Sequence, residues 1–162
     1  MLPATAPFIL GMAGCVVAAA VSDARTLRIP NIFSVAILAL FGIYAVMALT
    51  PQAAVAALAL AALIVLVTFF AFCRGIMGGG DAKLLAVCMA WAGPEYALDL
   101  ITVTAIVGGV IAFALVSPLT ARATVAVQRH WPATVVSGKP AMPYGVAIAA
   151  GTLVVAAELL SA

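Results

Sequence analysis

Two aspartates stand where a catalytic pair would need carboxylates: Asp23 in "AVSDARTLRIPN" and Asp81 in "GGGDAK", in a chain whose residues are only 7% charged. Each lies at the end of an apolar run. An ionisable group at membrane depth costs about 2.5–3.5 kcal/mol at a helix centre and less toward the ends, so such groups are functional candidates by default. Two carboxylates that meet can share a proton, one activating water while the other donates to the carbonyl oxygen of a scissile peptide. That is aspartic proteolysis, which uses neither metal nor cofactor. Gly78, Gly79 and Gly80, lacking a Cβ, would let a substrate backbone come close to Asp81. Taken singly, each aspartate has a plainer reading of equal weight. Asp81 suits a helix N-cap after a glycine turn, and Asp23 suits an interfacial acid balanced by Arg25 and Arg28.

The elements that must position this pair are legible in the composition. Of 162 residues, 67% are hydrophobic, and the mean hydropathy is +1.33. Soluble domains are roughly 45–50% apolar and about 25% charged, so this chain belongs to the bilayer class. A net charge of +2 from seven basic and five acidic residues is too small a total for a nucleic-acid surface. Crossing a hydrocarbon core takes about 20 apolar residues. Residues 7–23, 31–49, 53–73, 97–117 and 143–160 qualify, and a shorter run, 82–93, continues toward Gly93-Pro94. The expected fold is all-α: a polytopic membrane protein, a six-transmembrane-helix bundle forming one domain over 1–162. No Lys or Arg precedes Arg25, so the first apolar segment lacks the basic flank of a signal peptide and is expected to be retained.

Orientation follows from the cations. With the N-terminus outside, the inner loops 24–30, 74–81 and 118–142 hold Arg25, Arg28, Arg74, Arg122, Arg129 and Lys139, and the outer segments hold no Lys or Arg. The positive-inside rule then places both termini outside and both aspartates at the inner face. Asp23 falls at a helix C-terminus and Asp81 at an N-terminus, so the two macrodipoles act on them in opposite senses. An acid/base pair wants such unequal environments.

The remaining polar residues carry less. Cys15, Cys73 and Cys88 have neither C-x-x-C spacing nor an even count, which suits packing. His130, the single histidine, has no ligand-type neighbour in sequence and reads as a loop residue. In the loop 118–142, "ARATVAVQRHW" suits either a short interfacial helix or an irregular solvated segment. Lys83 suits a snorkelling lysine near a helix end, and Pro30 suits a helix start.

Asp23 with Arg25 and then Ile29-Pro30-Asn31 resembles the first signature of the type IV prepilin peptidases, and Gly78-x-Gly80-Asp81-x-Lys83 resembles their G-x-G-D-x-K signature. The resemblance spans essentially the whole chain, including Pro143-Tyr144-Gly145 opening the last helix. It implies an integral-membrane aspartic endopeptidase of the bacterial inner membrane that removes the short basic leader of a prepilin at the cytoplasmic face, cutting after a glycine. Asp23 and Asp81 would be the catalytic pair. Lys83 would tune the local field, Pro30 and Asn31 would shape entry to the second helix, and Pro143, Tyr144 and Gly145 would border the site. The implied partners are a prepilin helix, the bilayer, and pilus or secretion assembly proteins, with no cofactor. Longer members carry two C-x-x-C pairs after the first helix and also N-methylate the product. The corresponding loop here, 24–30, has no cysteine, so the chain looks like the compact Flp/Tad type, with peptidase activity alone. Two other readings remain: a small proton-coupled transporter or channel subunit, whose acids would lie near mid-membrane, and a non-catalytic pilus assembly protein.

Overall fold

The computed structural model describes residues 4–116, 135–136, 139–140 and 142–161. It is helical apart from one two-residue antiparallel pair, β1 (Val135–Val136) with β2 (Lys139–Pro140). The helices are α1 (Ala6–Thr26), α2 (Asn31–Ala48), α3 (Pro51–Cys73), α4 (Gly79–Val116) and α5 (Tyr144–Ser161). All five are long and apolar enough to cross a membrane. Arg122, Arg129, His130 and Trp131, with the question of an interfacial helix around them, lie outside the described residues.

Local chemistry sets the boundaries. Leu27 ends α1 in the left-handed region (φ 51°), its N–H bonded to the Asp23 carbonyl at 2.8 Å. Ile29, as the residue before a proline, is kept out of the helical region, and α2 starts directly after Pro30. Thr50 caps α3 by accepting from the Ala53 amide at 3.3 Å, with Pro51 behind it. Prolines in first turns cost nothing, because those amides have no intrahelical partner.

Six helices are expected from the sequence, and the described residues form five helical elements, the fourth of them two helices joined at a kink. The expected segments 82–93 and 97–117 are one element, α4, turned at Gly93 (φ 56°, ψ −171°) ahead of Pro94. Glycine alone enters that backbone region without penalty. The turn reverses the chain. Along the arm 79–92, Cys88 lies beside Thr152 of α5, seven residues beyond the Gly145 that meets the aspartate site. Along the arm 94–116, Leu100 and Thr104 lie against Gly151, whereas Gly108 lies back toward Ala147 and Tyr144. One arm therefore runs with α5 and the other against it. At 1.5 Å per residue the first arm is about 21 Å long and the second about 35 Å, against a hydrocarbon core of about 30 Å.

The core is formed by Ile9, Met12 and Val16 of α1, Ile37 and Phe41 of α2, Leu84, Cys88, Met89 and Leu100 of α4, and Ile148 and Val155 of α5. Trp91 locks the first arm to α2 just before the turn. Its indole N–H donates to the Ile37 carbonyl at 3.0 Å, and its ring stacks on Tyr44 at 4.8 Å. α3 packs on α4, but of its 23 residues only Ala57 and Thr68 are buried. An apolar helix so exposed fits lipid as its solvent, because its own hydrogen bonds satisfy its backbone.

Small residues let these helices touch. A Cβ on Gly151 would lie 2.5 Å from Thr104 Oγ1 and 2.6 Å from the Leu100 carbonyl, whereas one on Gly109 would meet nothing within 4 Å. Gly151→Ala is expected to destabilise by about 1–3 kcal/mol through overpacking. Gly109→Ala should be neutral or stabilising by up to about 1 kcal/mol. Thermal unfolding of both variants in detergent checks the contrast.

Candidate active site

Two turns make the site. The α1–α2 connection folds beneath the end of α1, where Ser22 Oγ donates to the Arg28 carbonyl at 2.9 Å and Leu27 holds its left-handed conformation. The glycines before α4 form the facing wall. Together Asp23, Leu27, Arg28, Ile29, Pro30, Asn31 and Gly78–Asp81 line a cavity of about 450 Å³. Both aspartates open onto it, near enough for their charges to interact.

Their surroundings differ. Asp23 is 4% exposed, and its Oδ2 accepts from the Gly145 amide at 2.7 Å. That amide belongs to the first turn of α5, whose N–H groups have no partner within their own helix. The expected opposition of dipoles is therefore corrected. Asp23 sits near the C-terminal end of α1, but its carboxylate is bonded at the N-terminus of α5, the end that favours an anion. Asp81 also sits at a helix N-terminus, though not as the N-cap. It is the third residue of α4, and its carboxylate reaches back to the Gly78 amide, as the acid of a capping box does. Its Oδ1 is buried and takes no hydrogen bond from any described residue.

Ile29 packs against both Gly80, the neighbour of Asp81, and Gly145, the partner of Asp23. A Cβ on Gly80 would lie 3.1 Å from the Ile29 Cβ, and one on Gly145 would lie 3.0 Å from the Ile29 Cδ1 and 2.9 Å from Asp23 Oδ2. The sequence motifs give the isoleucine no role beyond its place before a proline. Leu27 carries no sequence signal at all, because a cavity wall leaves no periodic pattern.

Of the other expected residues, Gly78, Gly80, Pro30 and Asn31 line the cavity, and Gly145 holds Asp23. Arg25 is exposed and is not among the lining residues. Pro143 is buried at the head of α5, and the neighbouring Tyr144 lies toward Gly108. Lys83 is not among the lining residues, but its Nζ donates to Oδ1 of Asn31, which is, at 3.2 Å. Among the described residues no cluster of three or more His, Cys, Asp or Glu could hold a metal ion. The three cysteines are free.

This arrangement can carry acid/base chemistry on a neutral, polar bond. Each carboxylate meets a backbone amide, and the cavity that both line has room for a water and an extended backbone. In comparison with known proteins, a family model described as the type IV leader peptidase family matches residues 10–113. No curated protein and no solved structure matches the chain.

The two aspartates should differ in their effect on stability. Asp23→Ala strands the buried Gly145 amide and should cost about 1–3 kcal/mol. Asp81→Ala removes a buried unpaired oxygen along with a first-turn acid worth about 0.3–1 kcal/mol, so its net change should be smaller. Melting temperatures in one detergent rank the variants, and equal losses would contradict the asymmetry.

Proposed function

Because the chain belongs to the type IV leader peptidase family, we propose that it is a membrane aspartic endopeptidase removing the leader of a Flp-type prepilin, with Asp23 and Asp81 as its catalytic pair. Membership makes the protein a membrane protease of the leader-peptidase class. The observation that carries the finer reading is the shared cavity, in which two carboxylates from sequence-distant helices face one space.

In the proposed reaction one carboxylate, ionised, takes a proton from the attacking water, and the other, protonated, donates to the carbonyl oxygen of the scissile bond. The resulting tetrahedral intermediate collapses as its C–N bond breaks, and a proton passes to the leaving amine nitrogen. Water is the only co-reactant, and the carboxylates regain their starting state after exchanging a proton. The Gly145 amide fixes Asp23 during these steps, and Gly78–Gly80 leave room for the substrate backbone beside Asp81.

The charge distribution supports a cytoplasmic active site in the bacterial inner membrane. Arg25 and Arg28 follow the helix end bearing Asp23, and Arg74 precedes the turn into Asp81. Glu95 and Asp99 lie just past the reversal, at the far end of the first arm. The basic end faces inward by the positive-inside rule, which puts both termini outside. The short cysteine-free connection between α1 and α2 supports peptidase activity without N-methylation, in one domain that serves pilus or secretion assembly.

Co-expression with a tagged Flp-type prepilin in a host lacking such an enzyme tests this, with pilin mass as the readout. The wild type should remove the leader and add no methyl group. Asp23→Asn and Asp81→Asn should each lose at least about 10²–10⁴-fold in rate, the scale of lost acid/base catalysis. Gly145→Ala crowds Asp23 and should slow cleavage by about 10²-fold, the cost of misplacing a catalytic group by roughly 1 Å. Unimpaired cleavage by both asparagine variants would remove the pair from the mechanism.

A further inference from the structure

Two more cavities flank Lys83 on the side of α4 facing away from α5. One, of about 370 Å³, lies between Val35 and Leu38 of α2, Val65 of α3, and Ala86 of the first arm. The other, of about 280 Å³, lies between Phe69 and Phe72 of α3 and the start of α4. Val65 and Lys83 belong to both. Asn31 joins the first to the aspartate cavity, and Gly79 joins the second to it. They form one trough with the first arm of α4 as its floor. Its walls, α2 and α3, each pack on α4 and hardly on one another. The walls are open, with Val35 60%, Leu38 47% and Val65 52% exposed.

The one charged group in this apolar trough is Lys83. Its ammonium has three donors, one of them given to Asn31, and no carboxylate pairs with it among the described residues. An acyl chain would fit the walls but leave those donors unmatched. A peptide segment matches both. To be cut it must be extended, and each carbonyl released from a helix in hydrocarbon needs a donor.

Building on the reading of the chain as a leader peptidase, we propose that the apolar segment of the precursor enters laterally between α2 and α3. It lies along the trough on the first arm, and Lys83 holds backbone carbonyls of the stretch that unwinds beside the aspartates. Lys83 is thus a positioning residue for substrate. Its bond to Asn31 is the link between trough and cavity that an arriving chain displaces.

Photoreactive amino acids placed singly at Val35, Leu38 and Val65, in membranes containing a Flp-type prepilin and the full chain carrying Asp81→Asn, test the route. Adducts with the precursor should form at these positions and not at Leu10, Val17 or Leu153, which are exposed on α1 and α5. In the active enzyme Val35→Trp and Val65→Trp should raise KM about tenfold with kcat little changed, the scale of one steric misfit. Lys83→Met should also raise KM, with Lys83→Arg restoring it. If the wild type cuts no prepilin, the parent reading fails and this inference with it. If the wild type cuts, then adducts only on α1 or α5, lipid adducts alone in the trough, or unaltered cleavage by the tryptophan variants overturn the lateral route and leave the peptidase standing.

Discussion

A backbone in hydrocarbon has no water to bond, so every amide and carbonyl must find a partner within the protein. That constraint makes the fold helical, and it also locates the site. Non-helical backbone at the α1–α2 connection and before α4 occurs where it lines the aspartate cavity. The glycines that open α4 and the left-handed Leu27 that closes α1 are boundary solutions to the same problem. They leave polar groups at the one place where polar chemistry is wanted.

The carboxylates are held by that same supply of unpaired helix-end groups. Gly145 offers Asp23 an amide that its own helix cannot use, and Gly78 does the same for Asp81. Neither aspartate is paired with a cation among the described residues. A salt bridge would have neutralised the acid/base chemistry, whereas backbone donors position a carboxylate and leave its proton exchangeable. The buried Oδ1 of Asp81, without a partner among the described residues, is a stability cost.

Much of this was legible in the sequence, because membrane depth makes charge rare and rare charges are easy to weigh. Asp23, Asp81 and the glycines around Asp81 stood out before any fold was known, and the helices lie close to the apolar runs. The reversal at Gly93 was less legible. A glycine and a proline inside an apolar stretch mark a break but do not say whether the chain stops or turns there, and the two expected segments are the two arms of α4. The field at Asp23 is set by two helix ends, the C-terminus of α1 and the N-terminus of α5. Which helix end finally meets a side chain is a tertiary fact, and Gly145 lies 122 positions from Asp23. Ile29 stands in the first signature, yet its packing against both Gly80 and Gly145 is likewise a tertiary fact that the motif does not contain.

The unequal arms of α4 bear on how the protein sits in its bilayer. Gly108 is level with the head of α5, and the second arm continues from there to Val116, about 12 Å further at 1.5 Å per residue. The aspartates share the level of Gly108, so they lie below the surface that the end of the second arm reaches. α2 and α5, at 18 residues each, match a hydrocarbon slab of about 27 Å, whereas the 23 residues of α3 match about 35 Å. Lipids around the bundle therefore meet different thicknesses on different sides, and the membrane must thin toward the short helices. Such a dimple would bring the headgroup layer down toward the carboxylates, so that the bilayer's own deformation would carry water to the proposed hydrolytic site.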